Sequence, residues 1–176
     1  MQVRRVVTGE DANGKAVFVE DAVVEGRSPA LLSGTVFHQL WGSDGQVALP
    51  SDGTQPAWSR FFPPADGFRF LIWSAAPETS SLPEGLDFGA AVTELQELLP
   101  GLADFNEPDN PGMHTTQTVD LDLVLQGEIW LELDDGEEVL LGPGDCVIQN
   151  GTRHAWHNRS SEPATMLSVL VGADRR

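Results

Sequence analysis

Apolar and polar residues alternate over most of the C-terminal half of the chain, in short runs separated by turn residues. Across 114–126, Val119, Leu121, Leu123 and Leu125 fall on one side of an extended strand. His114, Thr116, Thr118, Asp120, Asp122, Val124 and Gln126 fall on the other, because strand side chains alternate with period two. A strand with one oily and one polar face has two ordinary placements. The polar face meets water, or it lines a polar cavity inside a barrel. In either case His114 and Asp120 share a face. Gly127 interrupts the pattern, and 128–134 forms a second strand with Ile129, Leu131 and Leu133 opposite Trp130. Asp135-Gly136 between alternating runs is a two-residue hairpin signal, with 137–141 as the return strand. A turn at 142–145 leads to a strand over 146–149, and Asn150-Gly151 marks another turn. The next strand, 154–158, places His154, Trp156 and Asn158 on one face and His157 on the other. A final strand covers 164–171.

The N-terminal half is less regular. Strands are predicted over 3–8, 16–20, 35–41 and 67–75. His38 lies alone on the third of these and is read as structural. Residues 42–67 form a long loop rich in Gly, Pro, Ser and Asp, with Trp58, Phe61 and Phe62 embedded in it. Loops of this length are usually functional, such as lids or oligomer arms, or are disordered, and the aromatics argue that part of this one packs. One helix is predicted. Phe88, Val92, Leu95, Leu98, Leu99 and Leu102 recur at helical spacing towards the core, and Pro100-Gly101 ends it. A proline-punctuated linker, 105–112, leads into the strand that begins at His114.

The whole chain, 1–176, is read as a single domain. Residues 1–106 hold the N-terminal strands, long loop and helix, and 107–176 hold the strands and turns described first. The N-terminal strands complete the same barrel or extend it as a dimer arm. A formal net charge of −17 argues against nucleic acid and anionic membranes as partners, because both require a basic surface. No apolar run approaches a membrane span. The N-terminus has no apolar segment after its two arginines, so the expected location is cytoplasmic. The one cysteine, Cys146, excludes an internal disulfide framework. It is read as a small core residue on its strand.

The strands and turns from His114 to Asn158 resemble the two motifs of the cupin superfamily. In the first motif, His114 takes the first histidine position, Thr116 the second and Asp120 that of the glutamate, with Gly127 closing after six residues. In the second, Gly144 opens, and Gly151, His154 and Asn158 follow, with Gln149 or Asn150 near the position of the usual proline. The resemblance covers roughly the last 65 residues. It implies an all-β fold, a double-stranded β-helix or jelly-roll barrel, with one short helix before the first motif. It also implies a homodimer.

Carrying the motif over residue by residue puts a divalent metal ion on His114, Asp120 and His154. Two imidazoles and one carboxylate leave open coordination positions and suit Fe(II) first, with Zn, Mn, Ni or Co as alternatives. Asp122 is a candidate partner for the ligands or faces solvent. Thr116, Gln126, Gln149 and Trp156 are candidate pocket residues, and Glu128 a candidate catalytic base. His157, by parity, is not a ligand. The expected function is a metal-dependent enzyme acting on a small organic molecule, by dioxygenase, decarboxylase, lyase or isomerase chemistry. The alternative is a non-catalytic small-molecule-binding cupin with a degraded metal site.

Overall fold

The computed structural model describes residues 1–175. A hairpin of β1 (Val3–Glu10) and β2 (Ala16–Val24) opens the chain and is followed by β3 (Val36–Ser43), β4 (Phe68–Ala75) and the helix α1 (Phe88–Leu98). A short pair, β5 (Asn106–Glu107) and β6 (Asn110–His114), leads to β7 (Thr118–Gln126) and β8 (Ile129–Glu132). Strands β9 (Glu138–Leu141), β10 (Cys146–Asn150), β11 (Ala155–His157) and β12 (Ala164–Gly172) complete the fold. Two antiparallel sheets form the body, in the order β10-β7-β12-β4-β3 and β11-β8-β9. This is a mainly β, jelly-roll arrangement with one α-helix among the described residues.

Turn chemistry sets the local geometry. At the β8–β9 connection Asp135 and Gly136 both have positive φ, 60° and 73°, as the expected hairpin turn requires. Gly127 has φ 77°, and a Cβ there would lie 2.9 Å from the Ala164 Cα. The strand break at this position therefore also permits close approach to β12.

The core falls into two clusters. Val124, Ile129, Leu131, Leu141, Ala164 and Met166 fill one. Phe37, Phe61, Leu71, Leu95, Leu99 and Leu170 fill the other, so α1 and the long loop cover that end. Each fully buried side chain of this kind stabilises the fold by about 1.5–3 kcal/mol. The Asp87 side chain caps α1 by accepting from the Ala90 amide. The buried side of α1 differs from the expected stripe. Ala91 and Leu95 are buried on α1, with Leu99 just past its end, whereas Phe88 and Val92 are exposed. Core contact thus begins one turn into the helix.

Three further expectations are corrected. The strand expected over 114–126 is two strands, β6 and β7, separated at residues 115–117. His114 leaves the β7 ladder and instead exchanges both backbone hydrogen bonds with His154, at 2.9 Å each. Of the N-terminal strands, β3 and β4 join the five-stranded sheet as expected, whereas the β1–β2 hairpin forms its own two-stranded sheet. Its Arg5 donates to the Leu40 carbonyl and lies over the Trp41 ring. Cys146 is exposed rather than in the core, because on β10 it shares a parity with Ile148, opposite buried Gln149. No helix among the described residues is long and apolar enough to cross a membrane.

Candidate functional site

The polar face of β7 points inward. Thr118, Asp120 and Asp122 are buried, and Val119, Leu121 and Leu125 are exposed. The inward residues open onto a cavity of about 290 Å³ between the sheets. Its polar end carries His114, Thr116, Asp120, Asp122 and His154. Its apolar wall carries Phe37, Phe61, Phe62, Leu71, Trp73 and Leu170. Phe61 and Phe62 come from the long loop, so part of that loop is a wall of the cavity. Among the described residues no Lys or Arg lines it.

The two histidines are brought together by the isolated bridge between their backbones, and their ring centroids lie 4.2 Å apart. His114 Nδ1 donates to the Gly112 carbonyl and His154 Nδ1 to the Thr152 carbonyl, each at 2.9 Å. A carbonyl only accepts, so each Nδ1 carries the proton and each Nε2 keeps its lone pair. Burial lowers the pKa of both rings. For His154, burial and the neighbouring His114 together push it down to about 4. Both imidazoles are neutral at pH 7.

The carboxyl groups lie on neighbouring inward positions of β7. Thr116 and Thr118 hydroxyls are 2.8 Å apart, and Thr118 donates to Asp120 Oδ2 at 3.0 Å. Asp120 Oδ1 is buried and has no partner. Burial raises the Asp120 pKa to about 7, opposed by the Thr118 hydrogen bond and reinforced by the nearby Asp122 charge. Asp122 is raised to about 6, again by burial, against the Ser168 hydroxyl that donates to it. Trp73 Nε1 in turn donates to Ser168 Oγ at 2.9 Å. The sequence pattern does not single out Ser168 or Trp73 for the site. They meet Asp122 through the ladders β12–β7 and β12–β4, and alternation within one strand carries no signal of that meeting.

Of the residues singled out in the sequence, His114, Thr116, Asp120, His154 and Trp156 line this cavity. The Trp156 ring packs edge-on against His154, with centroids 6.0 Å apart. Gln149 is buried opposite Asp120 on β10 but does not line the cavity. Its Nε2 has no partner. Gln126 is exposed and outside the cavity, which corrects its expected place in the pocket. Its register partner is Thr165, next to a shift in the β7–β12 ladder. Glu128 is also exposed and borders a separate surface depression with Gly142, Pro143 and Asp145. That position removes it as a base for this cavity. His38 lies outside the cavity, with Nδ1 donating to the Val24 carbonyl. His157 lies between Glu78 and Glu132 instead.

The donor chemistry of the cavity suits a divalent ion. Two neutral imidazoles offer free Nε2 atoms, and an orphaned buried carboxylate oxygen is the kind of group that an ion or water normally satisfies. The spacing is looser than the chemistry. Among the described residues, the group whose ligand atoms lie within 4.8 Å of one another is Glu132, Glu138 and His157. His114, Asp120 and His154 are not gathered that closely.

The family model of the cupin domain matches residues 106–170, the span that contains both histidines and both buried carboxyls. The phomopsin biosynthesis cluster protein C' of Diaporthe leptostromiformis is 32% identical over 161 residues, 89% of this chain and 70% of that protein. The cupin-domain-containing oxidoreductase srdB of Neurospora crassa is 29% identical over 168 residues, 95% of this chain and 72% of that protein. Among solved structures, the cupin domain of Schizosaccharomyces pombe Cnp3 superposes with a TM-score of 0.50 at 9% identity, covering 98% of this chain and 89% of that one. With its jelly-roll sheets and with His114 and His154 paired at the motif positions, the chain belongs to the cupin superfamily.

Proposed function

We propose that this cupin is an enzyme that transforms a small organic molecule, with a divalent metal ion held by His114, His154 and Asp120. One observation carries the reading. Both imidazoles are locked in the tautomer that frees Nε2, in the same cavity as a buried Asp120 oxygen that lacks any partner. The ion would supply Lewis acidity towards an oxygen of the substrate, and Fe(II) is the first to test.

The chain's own residues have separable roles. Thr116 and Thr118 orient Asp120 through their hydroxyls. Trp73 and Ser168 hold Asp122 Oδ1. Its other oxygen is left to accept or give a proton near pH 6, close to working conditions. Phe37, Phe61, Phe62 and Trp73 exclude water from the opposite wall and bind apolar substrate surface. With no Lys or Arg among the described residues of the lining, the substrate class that fits is a mainly apolar molecule with one oxygen-bearing end. The names of the relatives, an oxidoreductase and a biosynthesis-cluster protein, support a redox step in small-molecule biosynthesis.

The test is elemental analysis of tag-free protein, with the His114→Ala and His154→Ala variants alongside. Near-stoichiometric metal that is lost in both variants supports the reading. Protein that carries no metal and binds none on reconstitution overturns it. A second reading, a metal-free binding barrel, is favoured by Thr116 at the second histidine position and by the loose spacing of the three donors. It predicts ligand binding that survives chelation and no turnover.

A further inference from the structure

We infer, resting on the proposed metal-dependent activity, that the substrate of this site is a planar aromatic molecule with an oxygen substituent. Side-chain rings in the cavity wall form a closed circuit. From His114 one arm runs through Phe62 and Phe61 to Phe37, with successive centroids 6.4, 5.0 and 5.6 Å apart. From His154 the other arm runs through Trp156 and Trp73 to the same Phe37, at 6.0, 6.3 and 6.2 Å. The two histidines, 4.2 Å apart, close the circuit. All seven rings line the cavity. They come from β3, β4, β6, the long loop, and β11 with the residue before it, so only the folded barrel assembles them.

Orientation matters as much as number. An aromatic ring is negative on its faces and positive at its edge, so aromatic pairs prefer offset-stacked or edge-on geometry at centroid spacings of about 4.5–7 Å. Along the circuit the ring planes turn repeatedly. Phe37 meets Phe61 at 87° and Phe61 meets Phe62 at 79°, whereas Phe37 lies at 15° to Trp73. Trp156 meets Trp73 at 68° and His154 at 86°. The wall therefore offers both faces and edges to one ligand ring. Trp73 Nε1 already donates to Ser168 Oγ, so its indole meets a ligand as π surface. A saturated ligand of the same shape buries the same area and gains none of this quadrupolar attraction.

Polarity sets the ligand's direction. The imidazoles, Asp120 and Asp122 lie at the polar end and take the oxygen substituent, while the phenyl and indole rings take the aromatic body. The volume, about 290 Å³, is at the small end of the ~300–1,000 Å³ of small-molecule sites and fits one or two fused rings. A cation is the other class that aromatic walls bind. The divalent ion proposed at the polar end repels it.

The test is isothermal titration calorimetry of the purified full chain with a naphthol and with the decalol of the same carbon skeleton, before and after chelation. The naphthol should bind at least about 10-fold more tightly in both states, the scale of one or two aromatic contacts. Phe62→Leu and, separately, Trp156→Leu keep an apolar wall and should each cut that preference by at least about twofold. Decalol affinity should stay within about twofold of wild type, since apolar area is retained. Both side chains are half-buried, and circular dichroism should remain that of the native protein. Equal affinities in protein that holds metal by elemental analysis overturn the aromatic assignment and leave the metal reading standing. No naphthol binding at about 1 mM, the weak end of the affinity scale, overturns it too. So does a preference unchanged in both folded variants, or tetraethylammonium binding more tightly than the naphthol. A naphthol preference in protein that holds no metal supports the aromatic site while the metal reading falls.

Discussion

His154 and His157 are three residues apart, one just before β11 and the other at its end, yet they inhabit different chemistry. His154 is buried, neutral, tied by Nδ1 to a backbone carbonyl, and faces a second imidazole. His157 turns the other way. Its two ring nitrogens meet the carboxylates of Glu78 and Glu132 at 2.5 and 2.7 Å, in a partly exposed position. By carboxylate proximity alone His157 is the better metal site, since its ligand-atom group with Glu132 and Glu138 is the tighter one. Glu138, however, is also paired with Arg159. The difference is physical: His154 keeps a free Nε2 in a cavity, whereas both nitrogens of His157 are already satisfied.

Replacing the pocket histidines should have the largest effect. His154→Ala should lower bound metal from near one per chain to less than about a tenth and cut turnover by at least about 100-fold, as loss of a ligand or catalytic group does. Metal analysis and steady-state kinetics read both. If the His157→Ala protein loses its metal instead, the assignment of the two histidines is reversed.

The pH dependence is the next largest effect. Asp120 must lose its proton to ligate, and its pKa is about 7. Metal affinity in equilibrium dialysis should therefore fall by about tenfold per pH unit below 7 and level off above it. His154, at about 4, does not compete for protons in that window. The metal-free protein shows the converse. Between about pH 4 and 7 folded Asp120 holds a proton that the unfolded chain has released, so stability decreases as pH rises. Asp120→Asn removes this penalty. At pH 8 it should stabilise the metal-free protein by an amount on the order of 4 kcal/mol or less, read as a higher melting temperature, while abolishing metal binding. His154 acts in the opposite sense. Its folded pKa is depressed, so its contribution is present above the unfolded value and lost as pH falls towards 4.

Smaller effects sharpen the contrast. Trp156→Ala should raise KM by about tenfold with a lesser change in kcat, since the ring supports His154 and forms wall rather than chemistry. His157→Ala should leave metal content and turnover unchanged and shift stability by less than about 1 kcal/mol, the scale of a partly exposed ion pair. Thermal melts with kinetics on the same samples distinguish the two variants.

Much of the fold and of the candidate site is legible in the sequence. The turns at Asp135-Gly136 and Asn150-Gly151 can be read there, as can most strands and the helix. The placement of His114, Asp120 and His154 at motif positions is legible too, because spacing and alternation are local properties. Alternation fails where the chain changes sheet, as at residues 115–117. There the His114 backbone follows its partner, His154, and not the parity of β7. It fails again at Gln126, which shares a nominal face with Asp120 but lies outside the cavity at the end of the strand, where the ladder shifts register.

The sequence by itself determined which residues share a face, where the chain turns, and that two histidines and an aspartate lie at motif positions. Only the tertiary structure decided which way each face points. Period two is symmetric: it separates Asp120 from Leu121 without saying which of them is inside. The second sheet, α1 and the loop carrying Phe61 and Phe62 break that symmetry by closing over the polar side of β7. Only the long-range registers of β12 with β4 and β7 bring Trp73 and Ser168 to Asp122. Those contacts join residues 46 and 95 positions apart, a distance over which local pattern holds no information.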